Sequence, residues 1–117
     1  MEQKGPQGLP AFGDLGAGPV DLARLVVAQP SSVVSRTLVK KPTGTITLFA
    51  FDAGQALSEH TAPFEALVQL LEGEADVTIG GTPHRVSGGE AILLPANVPH
   101  ALTAVTPFKM LLTMIRS

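Results

Sequence analysis

The sequence contains no cysteine, no tryptophan and no tyrosine, and it has only five phenylalanines. Without cysteine there can be no disulfide, thiolate nucleophile or thiolate zinc site. Basic clusters interleaved with stacking aromatics, which are typical of nucleic-acid surfaces, are missing, and the formal net charge is −2. Residues 1–8 lack the apolar run of a signal peptide, and no apolar stretch is long enough to cross a bilayer. We therefore expect a cytoplasmic protein with no nucleic-acid or membrane partner.

Apolar residues make up 44% of the 117 residues and charged residues 15%, which is enough for one domain with a largely aliphatic core. Residues 1–19 hold five glycines and three prolines, which disfavour regular structure. We predict an irregular arm over residues 1–29 and a single domain over residues 30–117. Within the arm, residues 20–26 fit either one or two helical turns or a short strand.

Short segments rich in β-branched or alternating apolar residues recur from residue 32 onward. The predicted strands are 32–39, 45–51, 66–71, 75–79, 82–86, 91–94, 101–105 and 108–115. Gly80-Gly81 is a strong signal for a two-residue hairpin, because both residues can take positive φ. Turns follow one another at nearly regular intervals, and no ten-residue helical period interrupts them. This pattern predicts an all-β sandwich or closed barrel.

Two histidines, His60 and His100, are each set among glycines and prolines that bound short apolar runs. Neutral imidazole is the commonest metal ligand and a natural proton shuttle near neutral pH. We expect the two side chains to line one pocket of the barrel. A catalytic metal normally has at least three protein ligands, and the nearby candidates for the third are Glu65, Glu59 and Gln69.

Two segments carry a resemblance to a known family: Gly54, His60 and Gly73 in the first, and Gly89, Pro95 and His100 in the second. Their spacing resembles the two motifs of the cupin family. The resemblance covers residues 30–115. It implies an all-β fold, the double-stranded β-helix or jelly-roll barrel of RmlC-like cupins, which is usually dimeric.

Four residues depart from the family pattern: Ala62, Ala66, Asn97 and Ala104. The first two stand where the family has its second histidine and its carboxylate ligand, and the other two replace a glycine and an asparagine. Glu65 lies one residue before the carboxylate position. A shift of one residue on a strand turns a side chain to the opposite face, so Glu65 reaches the interior only through a bulge or bend. The resemblance thus implies two of four metal ligands, His60 and His100.

These observations leave three functions open. The first is a cupin that binds a small molecule near His60 and His100, with or without a divalent metal such as iron, manganese, nickel, copper or zinc. The second is a metal-dependent enzyme of the dioxygenase, isomerase or hydrolase type, which would use both histidines and a carboxylate. The third is a non-catalytic structural or regulatory dimer.

The strand predicted over residues 66–71 is apolar on both faces. Leu67 and Leu71 alternate with Ala66, Val68 and Leu70, which we expect to point inward. A strand that is apolar on both faces is buried on both. The outer face of a barrel wall then needs a cover, most simply a second subunit, so we expect a homodimer.

Overall fold

The computed structural model describes residues 18–116, which form one 3₁₀ helix and nine strands. The helix spans Leu22–Leu25, and the strands are β1 (Val33–Lys41), β2 (Gly44–Phe51), β3 (Ala56–His60), β4 (Glu65–Glu72), β5 (Glu74–Ile79), β6 (Thr82–Ser87), β7 (Ala91–Leu94), β8 (His100–Ala104) and β9 (Phe108–Ile115). No helix within this range is long and apolar enough to cross a membrane. The glycine- and proline-rich residues 1–17 of the predicted arm lie outside the described residues.

The strands form two antiparallel sheets that face each other. One has five strands in the order β1-β2-β9-β4-β7, and the other has four in the order β3-β8-β5-β6. Strands distant in sequence are neighbours in both sheets, and β9, the last strand, lies at the centre of the five-stranded sheet. This architecture confirms the predicted all-β jelly-roll barrel.

Eight of the nine strands coincide, within one or two residues at each end, with the strands predicted from the sequence. The Gly80-Gly81 hairpin is confirmed by φ angles of 55° and 83°. Strand β3 was not predicted. Its residues, Ala-Leu-Ser-Glu-His, include only one large apolar side chain, and four of the five are exposed. Pairing with β8, rather than local propensity, makes this segment a strand.

The main core fills the space between the inner faces of the two sheets. Phe51 and Phe108 stack there with ring centroids 4.4 Å apart. Ala66, Val68 and Leu70 of β4 are buried in the same cluster, which confirms their predicted inward direction. Burial of the apolar area of these side chains is the dominant contribution to the stability of the folded domain.

A second, smaller core lies on the outer face of the five-stranded sheet. Residues 20–28 cross this face, and Leu25 and Val26 pack there against Leu48 and Ala50. Two hydrogen bonds fasten the segment to the sheet: Arg36 Nη1 donates to the Leu25 carbonyl at 2.9 Å, and Lys109 Nζ to the Ala23 carbonyl at 2.7 Å. The chain therefore covers part of this apolar face itself, including Leu71, which packs against the same cluster.

Candidate functional site

His60 and His100 face each other across the pair formed by β3 and β8, as the last residue of one strand and the first of the other. The register explains how they meet. Leu57 pairs with Leu102, whereas His60 pairs with His100, so three steps along β3 match two along β8. A bulge thus adds one residue between Leu57 and His60 and turns the His60 side chain toward His100. In regular pairing Glu59 would lie opposite His100.

The two imidazole rings meet edge to face. Their centroids are 4.3 Å apart, the angle between the ring planes is 71°, and the two Nε2 atoms are 3.1 Å apart. His60 is exposed, whereas His100 retains only 6% of its accessible surface. One imidazole is therefore held by the protein interior and the other lies at its border with solvent.

The opposite nitrogen of each ring is hydrogen-bonded to the main chain. His60 Nδ1 lies 2.8 Å from the Ser58 carbonyl oxygen, and His100 Nδ1 lies 3.2 Å from the Val98 carbonyl oxygen. A carbonyl oxygen only accepts hydrogen bonds, which assigns the proton to Nδ1 in both rings. In the neutral rings each Nε2 atom then carries a lone pair, and the two atoms lie side by side at 3.1 Å.

Burial lowers the pKa of His100, because the low-dielectric surroundings disfavour the charged imidazolium. The hydrogen bond to the Val98 carbonyl acts in the opposite direction, and the nearby His60 adds to the lowering. The net effect keeps His100 neutral over a wider pH range than a solvated histidine. Its Nε2 lone pair thus stays available to a ligand or a cation.

The loops that flank the two histidines are joined by main-chain hydrogen bonds. Asn97 N–H donates to the Ala62 carbonyl at 2.7 Å, and Gly80 N–H donates to the Pro99 carbonyl at 2.8 Å. Asn97 has φ = 64°, a left-handed conformation that asparagine tolerates better than most residues. It therefore supplies the backbone conformation that a glycine would provide at this position of the motif.

An arginine and a phenylalanine lie at the same end of the barrel, and the sequence analysis missed the arginine. Arg116 directly follows β9, and its guanidinium carbon is 5.5 Å from the centroid of the Phe64 ring. Phe64 follows His60 by four residues, which places the two Cα atoms within about 14 Å of each other. The alternation of side chains along β9 could have identified Arg116. This residue continues the period of two on the same side as Met114, and Met114 packs against the main core.

The candidate third ligands do not join the histidine pair. Glu65 and Gln69 are exposed and alternate with the buried Ala66 and Val68, so they lie on the outer face of the five-stranded sheet. Glu59 is also exposed. Among residues 18–116 no group of three or more His, Cys, Asp or Glu side chains is arranged to hold a metal ion. The site therefore brings together two imidazole nitrogens and no third such side chain.

Comparison with known proteins gives a consistent family assignment. Residues 47–115 match the family model described as "Cupin domain". No curated protein matches the chain. Among solved structures, a conserved protein of unknown function from Streptococcus pyogenes is similar at 40% identity, with 86% of this chain and 89% of that chain covered and a TM-score of 0.83.

Two further structures show the same similarity. A cupin 2 conserved barrel domain protein from Leptotrichia buccalis is 41% identical over 80% of this chain, which spans 45% of that longer chain, with a TM-score of 0.76. A cupin superfamily protein from Desulfitobacterium hafniense is 26% identical over 100% of this chain and 99% of that chain, with a TM-score of 0.79.

Proposed function

Because this chain belongs to the cupin domain family, we propose that it binds a small molecule at the barrel end that carries His60 and His100. One observation carries the proposal: the two Nε2 atoms converge to 3.1 Å while both Nδ1 atoms are held by main-chain carbonyls. This arrangement fixes both rings and leaves two nitrogen lone pairs close enough together to share one ligand atom. A group that accepts electron density would lie beside both nitrogens.

A divalent cation meets this requirement. Two imidazole nitrogens bound to one zinc ion at tetrahedral geometry lie about 3.3 Å apart, close to the 3.1 Å between the Nε2 atoms. Iron, nickel, copper and zinc all accept imidazole ligands, and manganese is a weaker candidate. His60 and His100 would hold such a cation, which would act as a Lewis acid toward a bound molecule. A protonated donor group of the ligand would meet the same requirement without metal.

The two-nitrogen donor set favours a binding protein over a metal-dependent enzyme. Within the described residues no third side-chain ligand joins the pair, so a cation would need donor atoms from the bound molecule or from water. A small chelating acid supplies such atoms. The positive Arg116 favours an acidic ligand as well, since no carboxylate within residues 18–116 lies at ion-pair distance from it.

The test is a titration with Co²⁺, whose visible absorption reports nitrogen coordination, with and without oxalate as a bidentate acid. We expect weak binding of Co²⁺ alone and binding at least about tenfold tighter with oxalate, because the acid completes the coordination. His60→Ala and His100→Ala should each abolish the signal. His84→Ala is the matched control, because His84 is exposed on β6 and is not one of the paired residues.

Two results would contradict the proposal. Absence of Co²⁺ binding under all conditions would remove the metal, and thermal-shift screening with small acids would then have to show stabilisation that depends on His60 and His100. Loss of signal in His84→Ala equal to that in His100→Ala would place the binding elsewhere. Turnover of a bound acid by the cation-loaded protein would favour the enzyme alternative.

A further inference from the structure

Two short connections join the sheets at the barrel end that carries the histidine pair. Residues 61–64 lead from β3 to β4, and residues 95–99 lead from β7 to β8. His60 and His100 stand where these connections meet the four-stranded sheet, whereas Phe64 stands where the first of them meets the five-stranded sheet. The two sheets therefore present different side chains to one opening. We call this opening, flanked by residues 61–64 and 95–99, the barrel mouth.

The register of β4 against β9 places Phe64 and Arg116 on the inner side of the five-stranded sheet. Ala66 pairs with Met114, and both lie in or against the main core between the sheets. Phe64 precedes Ala66 by two residues. Arg116 follows Met114 by two residues, so the period of two directs both side chains inward as well. The distance of 5.5 Å between the guanidinium carbon and the Phe64 ring centroid agrees with this direction.

The four-stranded sheet directs the histidine pair into the mouth from the opposite wall. His100 alternates along β8 with Leu102 and Ala104, which are buried in the main core, so its side chain lies on the inner side of this sheet. The bulge in β3 turns His60 toward it. Imidazole nitrogens on one wall and a guanidinium group on the other are therefore the polar groups that the two walls direct into the mouth.

The charge of Arg116 is available to a ligand. Its side chain is exposed, and within residues 18–116 no carboxylate lies at ion-pair distance from it, whereas the exposed Arg85 is paired with Asp76. A cation over an aromatic ring is held by its charge rather than by its N–H groups. The Phe64 ring therefore positions the guanidinium and leaves its donors for a planar anion. Arginine binds a carboxylate through two parallel hydrogen bonds of this kind.

The inner residues next to these polar groups are apolar. Ile79 is paired with His100 across β5 and β8, and Met114 lies two residues before Arg116. Both side chains are partly buried against the main core. The base of the mouth is therefore apolar, which suits a ligand with polar groups at its ends and an uncharged chain between them.

We propose that the ligand is a short acid with a second, terminal carboxylate, and that Arg116 selects it by binding this far end. The inference rests on the proposed function, because the near end is the chelating acid group bound at the histidine pair. Packed sheets lie about 10 Å apart, and side chains from both walls occupy part of this distance, so an acid of about four to six carbons fits. Oxalate is too short to reach both walls.

The experiment compares two acids that share a chelating end and differ at the far end: 2-hydroxyglutarate has a terminal carboxylate, and 2-hydroxypentanoate has a terminal methyl group. Co²⁺ absorption again reports binding to the full-length protein. We expect the wild type to bind 2-hydroxyglutarate at least about tenfold more tightly, a modest factor because Arg116 is exposed to solvent. Arg116→Gln should remove this preference and leave the signal with oxalate unchanged. Arg116→Lys should restore part of it, because lysine keeps the charge without the two parallel donors.

Arg85→Gln is the matched control, because it removes the same charge from an exposed arginine on the outer face of the four-stranded sheet and should keep the preference. Equal affinity of the wild type for the two acids would overturn the inference, as would a preference that survives Arg116→Gln or that Arg85→Gln removes equally. In these cases the oxalate signal persists and the proposed function stands. A wild type without any Co²⁺ signal in oxalate contradicts the proposed function itself, and this inference with it.

Discussion

The outer faces of the two sheets differ in chemistry. On the five-stranded sheet, Leu48 and Ala50 are buried beneath residues 20–28, and Leu67 and Leu93 are exposed beside them. On the four-stranded sheet the outward-facing residues include Asp76, which forms an ion pair with Arg85 at 2.6 Å. The outer face of the five-stranded sheet is therefore apolar and partly covered by residues 20–28, whereas that of the four-stranded sheet carries charged residues.

This difference places the candidate binding site and the N-terminal cover on different sheets of one small domain. The inner faces of both sheets contribute to one apolar core, and the only buried polar residue in the described range, His100, comes from the four-stranded sheet. The sheet with a polar outer face thus positions the candidate site, and the sheet with an apolar outer face holds the N-terminal segment. Four substitutions or conditions test this division.

The largest effect is expected at the covered face. Leu48 is fully buried, so Leu48→Ala should lower the free energy of unfolding by about 2–5 kcal/mol. Thr103→Ala, on the exposed outer face of the other sheet, should change it by less than about 0.5 kcal/mol. Urea unfolding measures both. Similar losses in the two variants would show that the outer faces do not differ as described.

A smaller effect is expected where the cover is fastened. Lys109 Nζ donates to the Ala23 carbonyl, and its side chain is only 18% exposed. Lys109→Met keeps the apolar stem and removes this bond, which should cost about 1.5 kcal/mol and increase amide exchange in residues 20–28. Lys40→Met, at an exposed position of β1, is the control. Unchanged exchange in Lys109→Met would show that packing alone holds the segment.

The pH dependence of stability should follow His100. Since its pKa is lowered in the folded protein, the unfolded chain binds this proton more readily. Stability is therefore full above the ordinary histidine pKa and falls as the pH drops toward the lowered value. We expect His100→Gln to show a smaller loss of melting temperature between pH 7.5 and 5 than the wild type, both in a metal chelator. Equal losses would assign the effect to groups other than His100.

The smallest effect is expected at the polar outer face. Asp76 and Arg85 have side chains that are 42% and 52% exposed. Ion pairs in solvent contribute little, because hydration and side-chain entropy oppose the attraction. Asp76→Asn should leave the melting temperature within experimental error in a thermal scan. A clear decrease would mean that the four-stranded sheet also depends on its outer surface.

Sequence patterns predicted the barrel because turns and alternating segments are local signals. The Gly80-Gly81 hairpin and the inward side of β4 follow directly from residue type and from the two-residue period of a strand. The motif spacing also predicted that His60 and His100 would approach each other, and their Nε2 atoms do so. Alternation indicated that Glu65 would point outward, as it does.

Other features depend on contacts between distant segments, which sequence patterns do not show. The bulge that turns His60 inward arises from the register of β3 against β8, and β3 itself has little intrinsic strand propensity. Residues 20–26 fitted a helix or a strand equally well, and the hydrogen bonds from Arg36 and Lys109 settle where this segment lies. The partial cover of β4 by its own chain could not be anticipated without them.

The central place of β9 in the five-stranded sheet also bears on how the protein is made. Strands β2 and β4 both pair with β9, which ends one residue before Arg116. During synthesis, the first eight strands emerge before the strand that joins them. The edges of β2 and β4 that pair with β9 then remain without their common neighbour until residues 108–115 have left the ribosome. The two halves of the five-stranded sheet therefore join only after β9 is available, and deletion of residues 108–115 would separate β1 and β2 from β4 and β7.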